Sequence, residues 1–332
     1  MPTIAISLDA DEDARRQIDH ALGAVARIEY LADLAPDARQ RALDAVSVLL
    51  ARNTAKELRD EEYAHLAHLK LIQFITAGID YIPVDRLPAA VPVAVNGGGY
   101  AEPMAEHALA MILAACKRLL PEHANLSRRE FNQFTPTRML SGLTAGIVGF
   151  GGIGIATARV LRALGVRVHA INRRAHSDEP VDWIGGTDKL DELLAASDVL
   201  ILSLPLTTRS VGLIGARELG LMKPDAILVN LARGEIVDEG ALYAHLQANR
   251  DFIACIDAWW IEPVRHGHFR MDHPFMELPN VIGSPHNSAS VAGWRTVALA
   301  RALENCKRVL DGDAPGHVVG DDERNYRLER DR

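Results

Sequence analysis

Short aliphatic runs recur along almost the whole chain, at residues 3–8, 26–31, 46–51, 71–76 and 91–95, and again at 145–150, 166–171, 199–204, 227–231, 253–259 and 281–284. Helical patterns separate most of them. Strands covered on both sides by crossover helices have no polar face and read as unbroken apolar runs, so this alternation is the mark of βα units building parallel sheets. The expected fold class is α/β. Between the two groups of runs, Met104, Ala108, Met111, Ile112, Ala115 and Leu119 fall on one helical stripe over residues 103–120, with Pro103 suited to its first turn. A further helical pattern over 289–310 follows Pro285 and leads back toward the first group. A chain of 332 residues exceeds what one core usually supports. Two domains are therefore expected: residues 1–100 with 287–332, and residues 101–286, with the ligand site in the cleft between them. The polar end of the chain reads as loose.

The most specific local pattern is Gly149-Phe150-Gly151-Gly152-Ile153-Gly154, directly after the run TAGIVGF and before the helical run IATARVLRAL. In a G-x-G-x-x-G turn the first glycine permits the tight bend, the second lets backbone approach a pyrophosphate, and the third lets helix pack on strand. The helix N-terminus adds N–H donors and a positive dipole end. A bare glycine turn can also be simple tight packing. The strand–turn–helix setting, with βα units following, favours a bound dinucleotide.

Composition narrows the class. The formal charge of −8 is spread over interspersed acids and bases, which leaves no basic footprint for nucleic acid or an anionic membrane. Cys116, Cys255 and Cys306 are odd in number and far apart, fitting neither a disulfide framework nor a zinc site, and read as buried thiols. His266, His268 and His273 lack the spacing of a metal site, and no metal is expected. The first residues turn acidic after one short run, unlike a signal peptide, and no apolar run is long enough for a membrane helix. A cytoplasmic location is the expectation.

Four linked blocks carry a stronger signal: GYAEPMAEHALAMILA, GIVGFGGIG, SLPLTTRSVGLIGARELGLMKPDAILVNLARGEIVDEGAL, and IDAWWIEP followed by DHPFMELPNVIGSPHNSAS. In this order they resemble the D-2-hydroxyacid dehydrogenases. The resemblance implies a Rossmann-type doubly wound parallel sheet with a smaller flavodoxin-like domain, a nicotinamide cofactor, a small 2-oxo or 2-hydroxy acid as substrate, and a homodimer joined through the cofactor domains, for which the stripe over 103–120 and nearby segments are either the contact surface or intramolecular core. It places the catalytic arginine on Arg233 in N-L-A-R-G, the glutamate on Glu262 in I-E-P and the histidine on His286 in S-P-H. Each follows a predicted strand, at the carboxyl edge where an open parallel sheet gathers its ligand groups.

Those residue types suit carbonyl reduction. As a carbonyl carbon receives hydride, negative charge grows on its oxygen, so a proton donor and a fixed cation must converge there. His286 can give the proton, Glu262 can hold its ring and favour the protonated form, and Arg233 can grip the carboxylate and polarise the carbonyl. The resemblance also places the backbone of Ala77 and Gly78, and Arg52 with Asn53, at the substrate carboxylate. A surface salt bridge is an equal reading of Arg52. Pro205 and Leu206 resemble the loop against the cofactor, and Asp257 the acid that meets the nicotinamide amide or else a buried structural acid. Trp259 and Trp260 either line the substrate pocket or bury area beneath a loop.

The strand over 166–171 ends on Asn172, followed by Arg173 and Arg174, where the dinucleotide fingerprint normally carries an acid for the ribose hydroxyls. A neutral side chain and two guanidiniums suit a 2′-phosphate, so NADPH is the expected cofactor, with NAD possible; the other reading leaves both arginines as solvated loop charges and has Asn172 bond the ribose. Glyoxylate and hydroxypyruvate are the leading substrates through the resemblance. Formate- and phosphite-type dehydrogenases share the architecture, although the formate enzymes carry glutamine where this chain has Glu262. A dinucleotide-sensing corepressor on the same fold is the alternative from another class.

Overall fold

A computed structural model describes residues 1–326 of the chain. These divide into two compact units, one formed by Met1–Tyr100 together with the residues from Ala292 on, the other by Ala101–Val291. The sequence-based division put the second crossing after residue 286, and the last six residues it assigned to the first domain lie outside the described residues.

The first unit carries β1 (Thr3–Ile6), β2 (Arg27–Tyr30), β3 (Val48–Ala51), β4 (Leu71–Phe74) and β5 (Val93–Ala94), with helices α1 (Glu12–Leu22), α2 (Pro36–Ala45), α3 (Thr54–Glu57), α11 (Trp294–Leu310) and α12 (Asp321–Arg324). The strands form one parallel sheet in the order β2-β1-β3-β4-β5. The period of two sorts its side chains. Ile4, Ile6, Val48, Leu50 and Leu71 join Ile18, Leu22, Leu299 and Leu303 on the face covered by α1 and α11. Ala5, Leu49, Ala51, Ile72 and Phe74 point the other way, against Leu31, Leu43 and Leu66. Residues 289–293, expected as helix, are turn, and α11 starts at Trp294 after Gly293 in the left-handed conformation.

The second unit carries β6 (Thr144–Val148), β7 (Arg167–Ile171), β8 (Trp183–Gly185), β9 (Val199–Leu202), β10 (Ile227–Asn230), β11 (Ile253–Ile256) and β12 (Val281–Gly283). Its helices are α4 (Ala101–Cys116), α5 (Leu119–Ser127), α6 (Gly152–Ala163), α7 (Leu190–Ala196), α8 (Ala216–Leu221), α9 (Glu239–Ala248) and α10 (Pro263–His266). The parallel order β12-β11-β10-β9-β6-β7-β8 reverses its winding between β6 and β9, the doubly wound arrangement whose switch point opens a crevice at the strands' carboxyl ends. Strand β8 was missed in the sequence because three residues give no run. It pairs in parallel with β7, and just before it the Asp182 carboxylate accepts the Val168 N–H at 2.7 Å.

The long helix expected over 103–120 stops at Cys116, because Arg118 takes a left-handed conformation and starts a new helix, α5. The stripe from Met104 to Ala115 is buried within this unit, with α4 packed on α6, β10 and β11. Leu119 leaves the stripe and is exposed. All three cysteines are buried and unpaired. Among the described residues no helix is long and apolar enough to cross a membrane.

Candidate active site

The glycine turn sits at the switch point. Gly149 has φ +93°, and a Cβ there would lie 2.7 Å from Leu204, backbone atoms included at 2.8 Å, so the turn is pressed against the loop after β9. The Ser203 hydroxyl fastens it by donating to the Gly149 carbonyl at 2.9 Å. At Gly154 a Cβ would stand 2.6 Å from the Gly149 carbonyl oxygen, which is the tight helix-on-strand packing expected of the third glycine. Gly151 differs. Its Cβ would meet nothing within 4 Å, so no protein atom requires a glycine there. Open space above Gly151, with no side chain capping the first turn of α6, fits a pyrophosphate received by backbone N–H groups. Gly152 is exposed and Ile153 half-buried beside it. In the following loop Pro205 is exposed, whereas Leu206 is buried beneath it.

At the end of β7, Asn172 is committed to its own turn. Its side-chain oxygen accepts the N–H groups of Arg174 at 3.0 Å and His176 at 3.4 Å, and its amide donates to the His176 carbonyl at 2.9 Å. Such an Asx-type turn holds the loop that exposes the side chains of Arg173 and Arg174.

Three neighbouring loops bring together the remaining groups. His286, beyond β12, places Nδ1 2.9 and 2.8 Å from the two oxygens of Glu262. Glu262 is 6% exposed and also accepts the Trp259 N–H at 2.7 Å. Burial alone raises a carboxyl's pKa, but the hydrogen bond and charge of His286, the Trp259 N–H and the charge of Arg233 hold Glu262 below its ordinary value. A carboxylate can only accept, so the Nδ1 proton points at Glu262 and Nε2 is left as the ring's working nitrogen.

Backbone contacts position these loops. A Cβ on Gly234 would stand 2.4 Å from Trp259 C and Trp260 N, so the segment after Arg233 lies directly on the peptide that precedes Glu262. The Arg233 carbonyl is held by the Asn230 amide at 2.8 Å, and Asn230 in turn accepts the Ala232 N–H. Glu235 and the buried Arg265 pair at 2.5 and 2.9 Å, tying the Arg233 loop to α10 just beyond Glu262. Trp259 donates its indole N–H to Ser284 and Trp260 to Val237, both rings being buried. They frame the loops from beneath, with Trp260 stacked on Phe275 at 5.3 Å between centroids. The His266 ring accepts the Glu262 N–H at 3.1 Å, which gives it a structural duty, while His273 stacks on Tyr243.

Asp257 has no exposed surface. Its carboxylate takes the Ser284 hydroxyl at 2.6 Å, the Asn287 N–H at 3.1 Å and the Ser288 N–H at 3.4 Å, and its carbonyl takes the His286 N–H at 2.9 Å. It therefore fastens the turn that carries His286, and with three of its roughly four acceptor positions taken the carboxylate can still accept a further N–H. Sequence reasoning passed over Gly234, Ser284 and the Glu235–Arg265 pair. Only the adjacency of Gly234 to Arg233 and of Ser284 to Pro285-His286 hinted at them.

In the five-stranded unit, the N–H groups of Arg52 and Asn53 are both taken by Glu57, and Asn53 caps α3. The exposed guanidinium of Arg52 has no ion-pair partner among the described residues, and neither Ala77 nor Gly78 gives its N–H to a described acceptor.

Residues 109–288 match the family described as D-isomer specific 2-hydroxyacid dehydrogenase, NAD binding domain, a span that contains the glycine turn and all three of Arg233, Glu262 and His286. The chain belongs to the D-isomer specific 2-hydroxyacid dehydrogenase family. Within this family it is 31% identical to a glyoxylate reductase of Aeropyrum pernix, over 85% of the chain and 84% of that protein. It is 29% identical to a D-3-phosphoglycerate dehydrogenase of Methanocaldococcus jannaschii over 96% of the chain, of which it spans only 59% of the length. A D-isomer specific 2-hydroxyacid dehydrogenase from Xanthobacter autotrophicus Py2, solved with NADPH and MES, superposes with a TM-score of 0.78 at 25% identity, covering 96% of this chain and 98% of that one.

Proposed function

We propose that the chain interconverts a small 2-oxo acid and its 2-hydroxy acid with a nicotinamide dinucleotide, with glyoxylate and hydroxypyruvate as leading substrates. The observation that carries this reading is the grip of both Glu262 oxygens on His286 Nδ1, in a loop beside Arg233. Bound nicotinamide supplies the hydride. Arg233 binds the substrate carboxylate and draws charge from the carbonyl, and the N–H groups of Ala77 and Gly78 with Arg52 add to that carboxylate grip. His286 Nε2 gives its proton to the carbonyl oxygen as the alcohol forms and takes it back in the reverse direction, while Glu262 compensates the ring's charge. Turnover of NADH and NADPH with a panel of 2-oxo acids, set against oxidation of formate and phosphite, tests this. Formate or phosphite oxidation without 2-oxo acid reduction rejects it. Formate oxidation protonates no carbonyl and would leave the Glu262–His286 pair without a task. The cytoplasm is the compartment expected in this reading.

NADPH is the preferred cofactor. Asn172 already spends its amide on the 172–176 turn, which weakens the reading in which it bonds the ribose, and the exposed Arg173 and Arg174 suit a 2′-phosphate. We expect kcat/KM to favour NADPH, and Asn172→Asp with Arg173→Ala to shift the ratio toward NADH by about tenfold or more, the effect of roughly 1.4 kcal/mol. A wild-type ratio at or below unity refutes the assignment.

A homodimer also belongs to this reading, on a changed surface. With the α4 stripe buried within its own unit, a run of exposed apolar side chains lies just beyond it, where Leu119, Leu126, Phe131, Phe134 and Met139 are exposed, Phe134 to 90%. Such a concentration in one short segment suits contact with a second copy. Light scattering at micromolar concentration should give a dimer that Phe131→Ser with Phe134→Ser converts to monomer; a monomeric wild type sinks the proposal.

A further inference from the structure

His286 holds its backbone at φ +49°, a left-handed conformation that residues with a Cβ rarely adopt and that costs about 1–2 kcal/mol. A conformation of this kind persists only where its surroundings over-determine it. Here the determinant is Asp257, whose main-chain carbonyl takes the His286 N–H and whose carboxylate takes those of Asn287 and Ser288.

The orientation of Asp257 is itself controlled from α4. The Ser284 hydroxyl carries one proton, and its 2.6 Å contact with Asp257 Oδ1 commits that proton to the carboxylate. The 3.0 Å contact between Ser284 Oγ and His107 Nε2 must then run from Nε2–H to the hydroxyl oxygen, which assigns the His107 tautomer. Directionality passes along the row: His107 donates to Ser284, Ser284 donates to Asp257, and Asp257 accepts from the turn. His107 Nε2 also stands 3.8 Å from Asp257 Oδ1. The Ser284 carbonyl is pinned separately by the Trp259 indole, so the hydroxyl is the group left for His107 to orient.

We propose that His107 is a positioning residue for His286, acting through Ser284 and Asp257 to hold the turn in which the proton donor is presented. The inference rests on the proposed role of His286. Loss of the His107 donor frees the Ser284 hydroxyl to rotate, loosens Asp257 and lets the His286 ring drift. A drift near 1 Å costs up to about 10²-fold in rate.

The test uses the full chain with His107→Ala, His107→Gln and Ser284→Ala, reading steady-state kinetics and the nitrogen resonances of the His286 imidazole. His107→Ala is expected to lower kcat about tenfold or more with little change in KM and to shift the His286 resonances. His107→Gln, whose amide N–H can reach the same oxygen, should recover most of both. Joining Ser284→Ala to His107→Ala should cost no more than the larger single effect, since both break one row. A lowered Tm with kcat and the His286 resonances unmoved makes His107 merely structural and overturns the proposal. If the wild type turns over no 2-oxo acid, the reading of the site fails, and the resonances alone then decide the row. Ser284→Ala keeps the test open should the His107 variants fail to fold.

Discussion

Replacing His286 with alanine is expected to lower kcat/KM for 2-oxo acid reduction by about 10²- to 10⁴-fold, the usual cost of losing a positioned proton donor, while the protein stays folded. The ring is half-exposed, so its loss leaves no large cavity, and the buried Glu262 keeps the Trp259 N–H as a partner. Arg233→Ala is expected to fail differently. It should raise KM as well as lower kcat, because in the proposed mechanism the guanidinium serves both ground-state binding and the charge that develops on the oxygen. Steady-state kinetics with circular dichroism as the folding control separates the two. A His286→Ala enzyme with wild-type kcat/KM would remove the histidine from the mechanism.

Gly234→Ala should be nearly as damaging although the residue touches no reacting atom. The added methyl would sit 2.4 Å from the Trp259–Trp260 peptide, and the obstacle is backbone on both sides. Either the Arg233 loop or the segment leading to Glu262 must move, at about 1–3 kcal/mol of stability for the overpacking and about 10²-fold in kcat/KM if the shift approaches 1 Å. Thermal unfolding and kinetics measured together check this. Unchanged kinetics would mean that the two loops need not touch for the catalytic set to assemble.

The parts of the molecule written as local patterns were legible in the sequence. Apolar runs with helices between them define both sheets, and the bend at Gly149 and the close helix approach at Gly154 are set within six residues. Family blocks gave Arg233, Glu262 and His286, which lie far apart in the chain and meet only through the order β12-β11-β10. Contacts made across the chain were not legible. Strand β8 is held by its pairing with β7 rather than marked by a run of its own. The break after Cys116 comes from the left-handed Arg118, for which no glycine or proline gives warning. Asp257 reads from its motif as a ligand acid or a buried structural acid, and the turn its carboxylate holds, 27 to 31 residues away, could not be told from the sequence. The side of α4 that meets the sheet could be told from the stripe, while its partner could not.

The most direct test of a carboxylate-held histidine as the proton donor is the pH profile of kcat/KM for 2-oxo acid reduction in the wild type and in Glu262→Gln. Glu262 is held below the ordinary carboxylate range, so its charge faces the ring throughout the working range of pH. The glutamine variant removes that charge while keeping the side chain's size, and protonation of the ring loses its compensation. The alkaline limb of the profile should therefore move to lower pH, with the maximal rate reduced. Superimposable alkaline limbs in the two enzymes would contradict the account, because the proton delivered to the carbonyl would then come from a group that does not sense Glu262.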